Sequence, residues 1–269
     1  MALTSGSGPF SETPAGRFNV RPPTTPLLFW EPFPKRFRVI DGGKVVVADS
    51  PKCLALHQTG QMMRLCVPPS DVHRDLLAPG PSSDELQTGP IRSWSLYIAG
   101  VSAEAAAWSF EAPPKEAAAL QDHMFFDLDK VDAWYLEDEP GYAHPRDPYH
   151  RFDVHRSSHH VAVLVGETLV AETSAPAILF ETAMEPRIYL PPEAVPSELL
   201  KKSHTVSQCP YKGDGQHWHI EMEGRRITDA GWSLTKPMGD ALLIPEWFSF
   251  YSEKLEIRVD GHALQTQER

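Results

Sequence analysis

The sequence predicts an all-β chain of two tandem, small antiparallel domains with minor helical insertions, and three observations carry that expectation. The first is an internal duplication. Residues 45–77 match residues 168–200 at a constant offset of 123, with Val47-Ala48 on Val170-Ala171, Arg64 on Arg187 and Pro68-Pro69 on Pro191-Pro192. After a one-residue change of offset the match resumes, with Trp94 on Trp218, Trp108-Ser109 on Trp232-Ser233 and Lys130 on Lys254. A repeat of this length is one structural unit present twice. The second observation is a series of short β-branched and aromatic runs punctuated by Gly and Pro. The third is the scarcity of helical periodicity, which is confined to Val72–Leu77 and the Ala-rich segment 115–120.

Taken in order, residues 1–34 hold Pro22-Pro23 and Pro26 among Gly, Ser and Thr, the composition of an extended arm with no core of its own. Within it Leu27-Leu28-Phe29-Trp30 is apolar enough to be expected to pack on a domain. The first copy spans about 35–140, with strands expected at Phe37–Ile40, Lys44–Val47, Arg64–Val67 and Trp94–Ile98. Residues 141–158 form the connection. Its Tyr142, Pro145, Pro148, Tyr149 and Phe152 suit an ordered segment better than a Gly/Ser linker, so the two domains are expected to form one rigid body. The second copy spans about 159–262, with strands expected at His160–Val165, Arg187–Leu190, His217–Met222 and Leu255–Val259, followed by a tail over 263–269.

Composition excludes several classes. A formal charge of −11 argues against a nucleic-acid partner, which requires clustered Lys and Arg. No apolar run approaches the ~20 residues of a membrane span. Residues 1–8 carry neither a basic nor an apolar leader segment, so a cytoplasmic location and no membrane partner are expected. Cys53, Cys66 and Cys209 are too few and too scattered for a disulfide framework or a paired-cysteine zinc site. A monomer is expected, because tandem duplication internalises what a single-domain protein achieves by pairing.

Function is sought where the copies differ. Before Trp218 the second copy carries His204 to Gly215, including Cys209-Pro210-Tyr211-Lys212-Gly213, whereas the comparison gives the first only Leu86–Arg92. Cys209, Tyr211 and Lys212 are the candidate catalytic residues: a thiol nucleophile, a phenol and an amine that move protons or hold an anion. Glu181, Arg187 and Tyr189 replace or retain Gln58, Arg64 and Cys66 of the first copy, and with His204, Gly213, Trp218, Trp232 and Arg146 they form the candidate substrate-binding set. The ligand expected is a small, anionic molecule in a pocket of the second copy, with no cofactor.

The run Cys209–Gly213 with Trp218 and Ala230-Gly231-Trp232-Ser233, together with Val131-Asp132-Ala133-Trp134-Tyr135-Leu136-Glu137-Asp138-Glu139, resembles the signature of the domain of unknown function 427 family, also catalogued as nucleotidyltransferase-like. His144–Tyr149 and Phe250–Lys254 resemble its tandem members. The resemblance spans about 35–262 and implies a β-tent-like arrangement of antiparallel sheets, similar to the zinc-bearing domain of methionine sulfoxide reductase B but without its paired cysteines. It implies no activity, because fold does not carry function.

Three alternatives stand beside the small-molecule reading. Alternation on a strand places His217, His219 and Glu221 on one face, a set that could hold a divalent metal. Asp127, Asp129 and Asp132 could hold Mg2+ for nucleotidyl transfer, with the loop from Lys212 to Gly215 on phosphates. Finally, the acidic run Glu137-Asp138-Glu139 could meet a basic partner in a non-catalytic interaction module.

Overall fold

The computed structural model describes residues 2–98, 100–222 and 224–264; of the expected tail, residues 265–269 lie outside them. The chain forms two compact units, residues 1–149 and 150–269. Both are built of antiparallel strands and single turns of 3-10 helix, as expected for an all-β chain.

In the first unit the strands are β1 (Leu28–Pro32), β2 (Phe37–Asp41), β3 (Val45–Ser50), β4 (Leu54–Gln58), β5 (Arg64–Cys66), β6 (Leu77–Glu85), β7 (Gly89–Ile98), β8 (Val101–Phe110), β9 (Met124–Phe126), β10 (Ala133–Leu136) and β11 (Glu139–Pro140). They form sheets ordered β1-β4-β5, β11-β10-β2-β3 and β6-β7-β8-β9. A single bridge, Val67 to Met124, continues β5 toward β9.

The second unit repeats this plan with β12 (Phe152–Arg156), β13 (Val161–Val165), β14 (Thr168–Thr173), β15 (Ala177–Glu181), β16 (Arg187–Leu190), β17 (Leu200–Cys209), β18 (Gly213–Met222), β19 (Arg225–Pro237), β20 (Phe248–Phe250), β21 (Glu256–Val259) and β22 (His262–Ala263). Here β16 and β20 pair fully, so a seven-stranded sheet runs β12-β15-β16-β20-β19-β18-β17 beside the four-stranded β14-β13-β21-β22.

Strand registers match copy to copy. Ser93 faces Trp108 and His217 faces Trp232; Trp108 faces Phe125 and Trp232 faces Ser249; Glu85 faces Gly89 and Cys209 faces Gly213. The change of offset falls inside a β-bulge. β6 skips from Pro79 to Ser82 where β17 skips from Lys202 to Val206, one residue more. Such an insertion is absorbed by the bulge without altering the ladder beyond it.

Alternation sorts the second unit's sheet into two faces. Ile188, Leu190, Ile220 and Phe250 pack against Val161, Val163 and Ile257 of the smaller sheet. The opposite face buries Leu179, Tyr189, Leu234, Ala241 and Ile244 in a second, smaller core. Trp94 Nε1 donates to Ser109 Oγ at 2.9 Å and Trp218 Nε1 to Ser233 Oγ at 3.0 Å, a pair shared by both copies.

Within the expected arm Leu28–Pro32 forms a strand paired with β4, and Phe152–Arg156 in the expected connection pairs with β15. Leu28 and Trp30 pack on the core of Leu56, Phe110 and Leu120. The segment from His204 is no extra loop: β17 and β18 form a hairpin equivalent to β6 and β7, differing by the bulge residue. The alternation expected of His217, His219 and Glu221 is interrupted, because a bulge lies between Trp218 and Ile220 and takes His219 out of register.

Candidate functional site

Four positions, matched by strand register, separate the two copies chemically. In the first copy they hold Gln58, Arg64, Glu85 and Thr88. The Arg64 Nη1 and Nη2 groups donate to Glu85 Oε2 and Oε1 at 3.1 and 3.2 Å, and Thr88 Oγ donates to Glu85 Oε2 at 2.9 Å. The Arg64 guanidinium lies 4.5 Å from the Phe125 ring centroid. One cation meets one carboxylate in a two-pronged pair, the geometry that best uses a guanidinium.

In the second copy the same positions hold Glu181, Arg187, Cys209 and Lys212. The carboxylate has moved. Lys212 Nζ lies 2.5 Å from Glu181 Oε2, and His150 Nε2 lies 2.9 Å from Glu181 Oε1. Because a carboxylate only accepts, His150 Nε2 carries a proton. Burial pushes the Glu181 carboxyl up, but the His150 and Lys212 hydrogen bonds outweigh it and hold it below the usual carboxylate range. His150 in turn packs against the Tyr211 ring, with centroids 4.4 Å apart.

Arg187 is left without a carboxylate. Among the described residues it makes no ion pair or side-chain hydrogen bond, and its guanidinium lies 5.7 Å from the Trp232 ring centroid and 6.0 Å from that of Tyr251. Trp232 and Tyr251 pack at 4.6 Å. Trp232 Nε1 donates to Tyr189 Oη at 3.1 Å, and burial raises the Tyr189 phenol well above its ordinary value. His217 stacks on Tyr251 at 6.2 Å, and burial lowers its imidazole below the usual value. Among the described residues two buried polar atoms on this face have no partner: His217 Nδ1 and Ser249 Oγ, the latter on a residue only 1% exposed. An unsatisfied buried hydroxyl costs of order 1–3 kcal/mol and marks a place where a further group can bond.

The expected residues therefore divide. Glu181, Lys212 and Tyr211 come together with His150, and Arg187, Tyr189 and Trp232 with Tyr251 and His217. Trp218 occupies the opposite face, bonded to Ser233. His204 is exposed, and Arg146 is an exposed residue of the first unit. Gly213 is fixed by backbone packing: a Cβ there would lie 1.9 Å from the Lys236 carbonyl oxygen. His219 Nδ1 accepts the Asp229 backbone N–H at 2.9 Å and Glu221 Oε1 accepts from Arg226 Nε at 2.6 Å, so these two and His217 each have separate neighbours. Among the described residues no group of three or more His, Cys, Asp or Glu converges as metal ligands. Asp127 and Asp132 accept backbone N–H groups from Asp129 and Gly43.

A pocket of about 290 Å³ opens between the two sheets of the second unit. Ile178, Phe180, Ile188, Phe250, Ile257 and Val259 wall it, and Arg187 stands with Glu185 and Glu253 among its polar lining. No residue of Cys209–Gly213 lines it, so the expected pocket on that loop is not where this cavity lies.

Cys209 ends β17 half-buried, whereas Cys53 and Cys66 are buried. Burial pushes the Cys53 thiol up to about 12 and raises that of Cys66 further. In the folded protein an alkylating reagent is expected to modify Cys209 alone, with Cys53 and Cys66 reacting only after unfolding, as mass spectrometry of the labelled peptides would read. Modification of Cys53 at a comparable rate would contradict this.

The fold and this repeat-against-repeat difference define a tandem all-β protein with one neutralised and one open arginine site. The chain belongs to the family described as Domain of unknown function (DUF427), whose model matches residues 30–137 and again 153–261. Comparison with curated proteins gives no match. The residues that sequence comparison missed are His150, Ser249 and Tyr251. The last two stand against Phe125 and Asp127 at the same offset that pairs Trp108 with Trp232, so the duplication held their signal.

Proposed function

We propose that the second repeat binds a small anionic molecule through Arg187. The observation that carries this reading is the contrast between Arg64, closed by Glu85, and Arg187, which lies over Trp232 and Tyr251 with no carboxylate. A half-buried cation kept next to aromatic faces and orphaned polar atoms is expensive unless something completes it. The charge count agrees. The first copy's four positions balance one cation with one anion, and the second copy's hold two cations against one carboxylate.

Lys212, Glu181 and His150 are not the anion contact in this reading, since their charges already meet. They brace the hairpin that ends at Cys209. Tyr189 and Trp232 position Arg187.

Titration with inorganic phosphate, acetate and hexanoate, followed by NMR at the Arg187 Nε–H and Trp232 Nε1–H signals, tests it. At least one anion is expected to give a saturable shift at both groups, lost in Arg187→Gln, while Arg64 stays unmoved. No saturable shift with any of the three, or shifts that survive Arg187→Gln, would overturn the proposal.

A further inference from the structure

We infer that the group held at Arg187 is a carboxylate, and that the ligand is a small monocarboxylate. This rests on the reading of Arg187 as the anion contact and narrows it. The first copy supplies the argument, because it contains the bound state. Glu85 occupies the hairpin position of Cys209, opposite a glycine in each copy, and its carboxylate takes both Nη groups of Arg64 and the Thr88 hydroxyl. In the second copy the arginine and the hairpin persist, Trp232 and Tyr251 stand beside the guanidinium where the first copy has Phe125, and the acidic side chain of the hairpin is replaced by a thiol-bearing one while Glu181 and Lys212 pair with each other. A ligand carboxylate at Arg187 would restore the pair that the first copy makes internally.

Charge and shape favour this class over phosphate. Lys212 is spent on Glu181, and Lys254, 5.2 Å from the Tyr251 ring, on the Thr228 and Asp229 carbonyls, so among the described residues Arg187 is the one uncommitted cation here, which matches one carboxylate charge. A phosphate monoester carries close to two charges at neutral pH and calls for a further cation. The guanidinium fork matches two coplanar oxygens. Ser249 supplies a buried, unpartnered hydroxyl where the first copy has Phe125.

The same NMR titration of the full chain decides it, now by ranking the probes and by grafting the first copy's acid onto the second. Acetate and hexanoate are both expected to bind more tightly than phosphate. Cys209→Glu is expected to weaken hexanoate by about tenfold or more, and Cys209→Gln, of equal size without the charge, much less. Phosphate binding ahead of both carboxylates would overturn the inference while leaving an anion site at Arg187 intact, as would equal effects of Glu and Gln at 209. Should Cys209→Glu fail to fold, the reciprocal Glu85→Cys decides: it is expected to open a second hexanoate site reported by the Arg64 Nε–H signal. A chain that still binds one equivalent would overturn the inference.

Discussion

Gly213→Ala is expected to cost the second unit about 3 kcal/mol or more, with the urea midpoint falling accordingly. Gly213 has φ of +98°, a region closed to side-chain-bearing residues. Its absent Cβ would lie 1.9 Å from the Lys236 carbonyl oxygen and 3.2 Å from Pro237 Cα. Those are backbone atoms of β19, paired with β18 from Gly213 onward, so no rotamer change relieves the clash and the ladder itself must part. Gly166 provides the control: its φ is +60° and a Cβ there meets nothing within 4 Å, so Gly166→Ala is expected to cost only the left-handed penalty of about 1 kcal/mol. The difference between the two isolates the steric part. Equal costs would show that β18 and β19 separate easily and that the Cys209–Gly213 turn is not held by its neighbours. Because Lys212 precedes Gly213 directly, loosening here would also weaken the Lys212–Glu181 pair.

The duplication made the fold class and the strands buried along their length, such as β16, readable from residues alone. Strands exposed along much of their length were not readable. In β17 only Ser203 is buried, and β6 holds Pro79, Gly80 and Pro81, tolerable on an edge strand but indistinguishable in sequence from a loop. Reading β17 as a loop hid the equivalence of Glu85 and Cys209, since the one-residue insertion in the bulge shifts the offset just before it. Arg187 stood out through its match with Arg64, but what distinguishes the two arginines is the partner, and that is a property of the hairpin opposite. His150 lay beyond reach for another reason. It meets Glu181 across 31 residues, and no periodicity or motif links the two. His217 was noticed for the wrong chemistry, because a strand assumed regular gave it His219 and Glu221 as neighbours when its ring neighbours are Trp232 and Tyr251.

Glu181→Gln should destabilise the second unit by about 2–3 kcal/mol at neutral pH, the lower side of the range for breaking a buried ion pair because Lys212 retains some access to water. The Glu181 side chain is 6% exposed and answers both Lys212 and His150, and an amide oxygen cannot balance the ammonium. The pH dependence follows from the direction of its shift. Glu181 is held below the ordinary carboxylate value in the folded state, so its contribution is fully present above the unfolded value of about 4.3 and is lost as pH falls below it toward the folded value. The wild-type protein is therefore expected to lose stability across that acid window, and Glu181→Gln to lose less there, so the two denaturation curves converge at low pH. The first copy also shows how the loss can be repaired. Gln58 and Thr88 occupy the positions of Glu181 and Lys212 without either charge, so Glu181→Gln with Lys212→Thr should recover more than half of the single-variant cost. A double variant no more stable than Glu181→Gln alone would place the cost in His150, whose Nε2–H loses its carboxylate in both. A single variant as stable as wild type at neutral pH would mean that the pair returns no more than its desolvation takes, and the second copy's charges would then need a reason outside folding.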